Sequence, residues 1–385
     1  MGVITLSDAG SVTGASTVLG YTFAAGTNTF TASTMALDNI ITGSSGADTF
    51  NFGQLADGTT NAFLAADSII GGTGTADVLN LTGNIAHTLT ITNVATVESI
   101  VFANTSTDVA LTTGANNLTT SGSLTIDGSS NVTGTIFITG TAAGGAGTLL
   151  NLIGGAAIDS LLGGAAADSI NGGAGADTVT GAAGADWLEG GTGADSITGG
   201  TEVDTIIGGA GGDVMTGTTG EADIYRFTGT TPATIAIEAG TNAGATSTYA
   251  LRSVGDTILA GFTANIIQFP ATLTTNAAGT EVDTLLALAT GGTVLNTARF
   301  VYVATANTDV VETFAGAVTV LDALVTTAVA IGDSFVVAMD NDTNIYFYLV
   351  EQVSTSGTIA AQDVTFIGVS TGMDLGDVNG DFVSY

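Results

Sequence analysis

The chain has 385 residues, enough for two or three domains or for one stack of repeats. Its 35 acidic residues face three arginines (Arg226, Arg252, Arg299), no lysine and one histidine, a formal charge of −32 that excludes nucleic acid as a partner, because phosphate binding needs a basic footprint. The lack of cysteine excludes disulfides, zinc–thiolate sites and a cysteine nucleophile, and a hydrophobic content of 45% argues against disorder. Fifty-six glycines against two prolines suit tight turns between short strands, so few helices are expected. A surface this negative repels itself unless multivalent cations settle on the carboxylates or water solvates them all.

The first residues, MGVITLSDAGSVTG, carry neither a basic region nor an apolar run, so a cleavable Sec-type signal is not expected, and nowhere is there an apolar stretch of about 20 residues that spans a bilayer. Over residues 30 to 153, runs such as HTLTITNVATVESIVFA and GSLTIDGSSNVTGTIFITG alternate threonine with valine and isoleucine at period two, the pattern of strands half buried on one face. Two glycine–aspartate turns interrupt them, GSSGADTFN at 43 to 51 with Asp48 and GGTGTADVLNL at 71 to 81 with Asp77. His87, the one histidine, falls in a threonine-rich strand pattern, where a surface or cross-strand position is expected rather than a catalytic base.

From Gly154 the chain runs through seven consecutive nonapeptides without an insertion: GGAAIDSLL, GGAAADSIN, GGAGADTVT, GAAGADWLE, GGTGADSIT, GGTEVDTII and GGAGGDVMT. Aspartates recur at Asp159, Asp168, Asp177, Asp186, Asp195, Asp204 and Asp213, each followed two residues later by an apolar side chain (Leu161, Ile170, Val179, Leu188, Ile197, Ile206, Met215). A merely glycine-rich stretch does not keep both positions in phase over seven repeats. Glycines allow left-handed turns whose carbonyls point at one centre, and aspartate adds a hard carboxylate oxygen, a donor set for a hard multivalent cation.

These nonapeptides resemble the G-G-x-G-x-D-x-U-x repeat of the RTX family, whose repeats form a calcium-binding parallel β-helix. The resemblance implies an all-β fold: a parallel β-roll or β-solenoid in which two nonapeptides make one coil, with Ca2+ held by Asp159, Asp168, Asp177, Asp186, Asp195, Asp204 and Asp213 and, in the upstream copies, by Asp48 and Asp77. Residues eighteen apart then stack, giving one ladder of Asp159, Asp177, Asp195 and Asp213 and a second of Asp168, Asp186 and Asp204. The last three residues of each repeat form a strand with its apolar residue inward, and Trp187, just after Asp186, faces outward. Ala157, Ala166 and Glu202 replace the fourth-position glycine and Ala182 a second-position glycine, so the first two repeats and the Glu202 turn are expected to bind calcium more weakly or to act as a cap.

Beyond Gly217, EADIYRFTGTT and VGDTILAGFTANIIQFP look like the strand pair that follows RTX runs. RFVYVAT, DSFVVAMDNDTNIYFYLVEQV and QDVTFIGVS then alternate strongly, while AGAVTVLDALVTTAVA at 315 to 330 fits either a helix or a strand. Three regions result: an irregular solenoid at 1–153, the RTX roll at 154–217 and a β-rich cap at 218–385. Asp340, Asn341 and Asp342 read as a hairpin turn; Asp377, Asn379 and Asp381 resemble the start of an EF-hand loop, but Tyr385 arrives before a twelfth-position ligand, and a turn is the simpler expectation.

No H-E-x-x-H or G-x-S-x-G motif occurs, so no catalytic residues are assigned and an enzyme is not expected. A chain of repeats and cap resembles the calcium-dependent surface-layer (S-layer) proteins of Gram-negative bacteria, as does VESIVFA at 97 to 103. That resemblance implies an extracellular, cell-surface protein exported through the type I secretion machinery by an uncleaved C-terminal signal, with itself and calcium as partners in a lattice. Its members often grip outer-membrane lipopolysaccharide through a helical region, for which no counterpart is found here. An RTX adhesin or biofilm-matrix protein and an extracellular filament or sheath subunit share the same chemistry and stand as alternatives.

Overall fold

The computed structural model describes residues 3–5, 11–14, 20–32, 40–53, 63, 67–82, 87–91, 93–102, 108–113, 122–140, 149–217, 223–226, 256–259, 266–269, 285–288, 300–304, 314–324, 334–340, 344–351, 359–371 and 382–384. They fall into two compact units, Met1–Leu188 and Glu189–Tyr385.

In the first unit every pairing among the described strands is parallel and joins one coil to the next. Val3–Thr5, Gly20–Thr22, Ile40–Thr42, Ser68–Ile70 and Val94–Ala95 form one sheet in that order. A second runs from Ser11–Gly14 through Thr29–Ala32, Thr49–Phe52, Val78–Leu81, Ser99–Phe102, Ser123–Asp127 and Leu149–Ile153 to Ser169–Ala174. A third takes His87–Ile91, Val109–Thr113, Ile136–Thr139, Ser160–Leu162 and Thr178–Ala183. Chain neighbours pair only through their coils, which is the signature of a solenoid.

Register places like upon like. Phe30 faces Phe50, Phe50 faces Leu79, Leu79 faces Ile100, Ile100 faces Ile126, Ile126 faces Leu152 and Leu152 faces Ile170, all of them fully buried or nearly so. Alternate residues point out, giving the buried–intermediate alternation that period-two sequence requires. Each buried aliphatic contributes roughly 1.5–3 kcal/mol, and only its neighbours above and below supply the contact. Near the N-terminal end the interior is filled by rings: Tyr21 and Phe30 lie 4.9 Å apart, Phe23 and Phe50 6.0 Å, Phe52 and Phe63 5.1 Å.

In the second unit Ser196–Thr201, Val214–Thr216, Asp256–Leu259 and Val364–Thr371 pair in parallel. Val364–Thr371 continues antiparallel to Asn344–Glu351, which pairs antiparallel with Ser334–Asp340; Phe300–Ala304 and Leu285–Leu288 extend that sheet in parallel. Thr205–Ala210, Ile224–Arg226, Ile266–Phe269 and Phe382–Ser384 form another parallel row.

The architecture is the expected all-β parallel roll with a β-rich C-terminal region. Asp340 pairs opposite Ile345 as a hairpin demands; residues 341–343, and Asp377, Asn379 and Asp381, lie outside the described residues. A helix, Phe314–Leu324, resolves the ambiguity of 315 to 330 for its first part. No described helix is long and apolar enough to cross a membrane. One expectation changes: the strand Ser160–Leu162 has three residues, but Ser169–Ala174, Thr178–Ala183, Ser196–Thr201 and Thr205–Ala210 have six. Ladder bonds there run past the apolar residue into the glycines, as Ala174 N–H donating to Gly155 O (2.9 Å) and Gly193 N–H donating to Ala210 O (2.7 Å) show.

Candidate metal centre

All nine aspartates singled out in the sequence are buried, none exposing more than 3% of its surface. Backbone register brings them into columns. Ser160 pairs with Thr178 and Leu161 with Val179 across eighteen residues, so the N–H of Asp159 donates to Asp177 Oδ1 (2.8 Å). In the companion column Asp168 N–H donates to Asp186 Oδ1 (2.7 Å), and in the second unit Asp195 N–H donates to Asp213 Oδ1 (2.8 Å). One carboxylate oxygen thus caps the backbone of the neighbouring coil, a charge-assisted bond in a dry setting.

The columns extend beyond the nonapeptides. Asp204 N–H donates to Asp223 Oδ1 (3.0 Å), a step of 19 residues. Upstream, Asn28 N–H donates to Asp48 Oδ1, Asp48 N–H to Asp77 Oδ1 and Asp77 N–H to Glu98 Oε2, with steps of 20, 29 and 21. Asp223, Glu98 and Asn28 escaped the sequence reading because the insertions break the period of nine and because glutamate or an amide stands in the aspartate position. Asn131, fully buried, closes its own turn by accepting Gly134 N–H on Oδ1 (2.9 Å).

The second carboxylate oxygen, Oδ2, has two environments. At Asp159 it accepts Gly155 N–H and at Asp168 it accepts Gly164 N–H, both at 2.6 Å. At Asp48 it accepts Ser44 N–H (2.6 Å) and the Ser44 hydroxyl (3.1 Å). At Asp77, Asp177, Asp186, Asp195, Asp204, Asp213 and Asp223, Oδ2 is buried and takes no hydrogen bond, although these side chains are anchored through other contacts.

Backbone shape follows the same division. In the third to seventh nonapeptides the second and fourth residues are left-handed: Gly173 and Gly175, Ala182 and Gly184, Gly191 and Gly193, Gly200 and Glu202, Gly209 and Gly211. Gly72 is left-handed too, whereas Gly155, Ala157, Gly164, Ala166, Ser44 and Gly46 are not. Glu202 (φ 79°) and Ala182 (φ 85°) therefore adopt the glycine conformation despite their side chains, and the Glu202 turn groups with the regular repeats. The first-position glycine is held to a hydrogen by contact: a Cβ on Gly190, Gly199, Gly208 or Gly217 would strike Oδ2 of Asp195, Asp204, Asp213 or Asp223.

Burial is the dominant cause that pushes the Asp77 carboxyl up to about 6, reinforced by the charges of Glu98 and Asp48 and opposed by the Asp48 N–H. Burial also raises Asp159 and Asp168, against the hydrogen bonds each accepts. A buried carboxylate oxygen without a donor costs several kcal/mol unless a cation or a proton meets it. Among the described residues no three His, Cys, Asp or Glu side chains converge; the donors that these turns offer a cation are carboxylate and backbone carbonyl oxygens, the hard donors that calcium takes. The orphaned Asp77 Oδ2 and the cradle that a Cβ would fill both fit that ion.

The family model for the RTX calcium-binding nonapeptide repeat (4 copies) matches residues 36–58, 153–188 and 189–221. No curated protein and no solved structure matches the chain. The 71–77 turn and Asp223 fall outside the matched segments yet share the column geometry. Turn geometry and family model agree that the chain carries RTX calcium-binding nonapeptide repeats, and Ca2+ is the ion they bind.

Proposed function

We propose that this is a secreted structural protein of the bacterial cell surface, folded by calcium outside the cell and assembling into a calcium-dependent S-layer lattice. The observation that supports it most is the buried aspartate columns in a chain of net charge −32 with three arginines. Its own cations are too few to neutralise the columns, so stability rests on an ion drawn from the medium. Extracellular calcium modules bind at about 10⁻⁴–10⁻³ M, too weakly to load in a low-calcium cytosol. Such a chain leaves the cell unfolded through a type I channel and folds outside, where calcium is abundant.

Calcium in this reading is structural: it cancels the repulsion of stacked carboxylates and ties one coil to the next, and the chain performs no catalysis. Carboxylates outside the columns remain for ions bridging two molecules. An adhesin or biofilm-matrix role and a filament or sheath subunit rest on the same calcium chemistry, and assembly separates them. Light scattering and negative-stain microscopy across a calcium titration, with sodium at matched ionic strength as control, are expected to give ordered sheets with calcium alone. Filaments support the sheath, and a particle that stays monomeric at saturating calcium refutes both assemblies.

A further inference from the structure

We infer that the turns at 43–48, 154–159 and 163–168 take no calcium: backbone N–H groups occupy the cation's place, and the first two nonapeptides form a calcium-independent footing on which the calcium-loaded coils from Gly172 onward build. The inference rests on the calcium-folding reading above and divides the repeats within it.

Both oxygens of each of these carboxylates are already engaged. Asp159 accepts Ile136 N–H on Oδ1 (2.6 Å) and Gly155 N–H on Oδ2 (2.6 Å); Asp168 accepts Leu150 N–H (2.8 Å) and Gly164 N–H (2.6 Å). Asp48 accepts the Asn28 N–H and amide on Oδ1 and Ser44 on Oδ2. In all three the Oδ2 donor is the second residue of the turn itself, four positions before the aspartate. Short N–H bonds to a charged carboxylate satisfy it well below the level of an isolated ion. An amide hydrogen and a divalent cation are both positive, and they cannot share the inner face of one oxygen.

Chain conformation keeps the two classes apart. Turning the second-position N–H onto Oδ2 requires that residue to stay out of the left-handed region, as Gly155 and Gly164 do, although glycine permits either shape. In the nonapeptides Ala157 and Ala166 disfavour the left-handed form that Gly175, Gly184, Gly193 and Gly211 supply; in the Asp48 turn, where Gly46 stands fourth, the hydroxyl of second-position Ser44 adds a bond to Oδ2. In the preceding coil Asn131 accepts Ala156 N–H on its backbone oxygen (2.8 Å), and Ile136, whose N–H donates to Asp159 Oδ1, stands where the later coils place an aspartate, so that coil brings no carboxylate to the column. In the upstream stretch the division recurs, with Asp48 closed and Asp77 presenting a buried Oδ2 without a donor beside left-handed Gly72. A solenoid grows by nearest-neighbour contacts, so preformed coils spare the calcium-loaded ones the cost of a first nucleus.

Hydrogen exchange on the full chain, in excess chelator and at saturating calcium, tests this. Amides within 150–168, Gly155 and Gly164 among them, should be slowed at least about tenfold in chelator relative to an unfolded reference, while those within 190–216 are slowed only with calcium. Protection of 150–168 that appears only with calcium overturns the inference and leaves the calcium-folding reading intact. Protection of 190–216 in chelator sinks the calcium-folding reading itself. Calcium counted by equilibrium dialysis gives a second readout: Asp168→Asn should bind as many ions as the native chain and Asp186→Asn fewer. Equal loss in both overturns the inference.

Discussion

Glu202 is the fourth residue of its nonapeptide, where four other repeats place glycine, and it holds φ at 79° with its side chain exposed. Left-handed backbone costs a residue with a Cβ about 1–2 kcal/mol. Replacement by glycine removes that strain but loosens the unfolded chain by about 0.4–1 kcal/mol, leaving a net gain of roughly 1 kcal/mol for Glu202→Gly. Urea unfolding at saturating calcium, with a slope of about 1–3 kcal/mol/M, converts this into a midpoint raised by about 0.5 M. Glu202→Ala separates backbone from charge, since alanine keeps the Cβ and its midpoint should not move. Gly211→Ala runs the other way: φ is 154°, and the new Cβ would meet the Gly193 carbonyl, so its midpoint falls. A Glu202→Gly protein no more stable than the native one, or a rise shared by Glu202→Ala, would refute the argument that this turn is strained by its side chain.

Ile197, fully buried with Met215 as its cross-coil neighbour, should cost about 2–5 kcal/mol when changed to alanine, read as a lower urea midpoint in calcium; a change under about 1 kcal/mol would mean that the apolar column can collapse around the cavity. Asp223→Asn keeps an Oδ1 acceptor for Asp204 N–H and removes the charge, so calcium titration followed by circular dichroism should show weaker binding, and an unchanged midpoint would place Asp223 outside the ion-binding column. Acid should partly replace calcium. A carboxyl such as Asp77, at about 6 when folded against an ordinary 3.8, holds its proton more tightly in the folded chain, so the stability it lends is complete below 3.8 and lost as pH rises through about 6. In chelator, circular dichroism should therefore report more β structure at pH 4.5 than at pH 7.5, and the opposite order would contradict the burial of these groups.

The roll itself was legible because two periods coincide in the sequence: nine between aspartates, and two between each aspartate and the apolar residue that fills the interior. Leu161, Val179 and Leu188 are as buried as that phase requires, and Trp187, in the outward position, remains 41% exposed. Asp223 was not legible, because one inserted residue shifts it by 19 from Asp204 and removes it from the register on which the motif depends. Glu98 and Asn28 were hidden for a chemical reason: Glu98 ends the column by presenting Oε2 to Asp77 N–H, and Asn28 ends it by donating its backbone N–H and its amide to Asp48 Oδ1. The substitutions Ala157, Ala166 and Glu202 were visible as departures, but sequence alone treated them alike. Structure divides them: the two alanines accompany a turn closed by amides, while Glu202 accepts the left-handed shape and keeps the regular turn.

That division explains how so acidic a chain can bury its carboxylates with so few cations of its own. An aspartate in a stacked turn needs something positive on each oxygen, and at Asp159, Asp168, Asp177, Asp186 and Asp213 the backbone of the neighbouring coil supplies it for Oδ1 through an N–H that would otherwise lack a partner in the interior. For Oδ2 the choice is local. Where the second and fourth residues stay out of the left-handed region, the turn's own second N–H meets Oδ2 and the carboxylate is satisfied by the chain alone; where they pass through it, an external ion must do so. Each nonapeptide thus sets its calcium requirement by the conformation of two residues rather than by its aspartate, which all seven share. Fourth-position alanines exchange dependence on the medium for a coil that persists without it, and their place at the start of the array puts that coil where growth of the calcium-bound stack can begin.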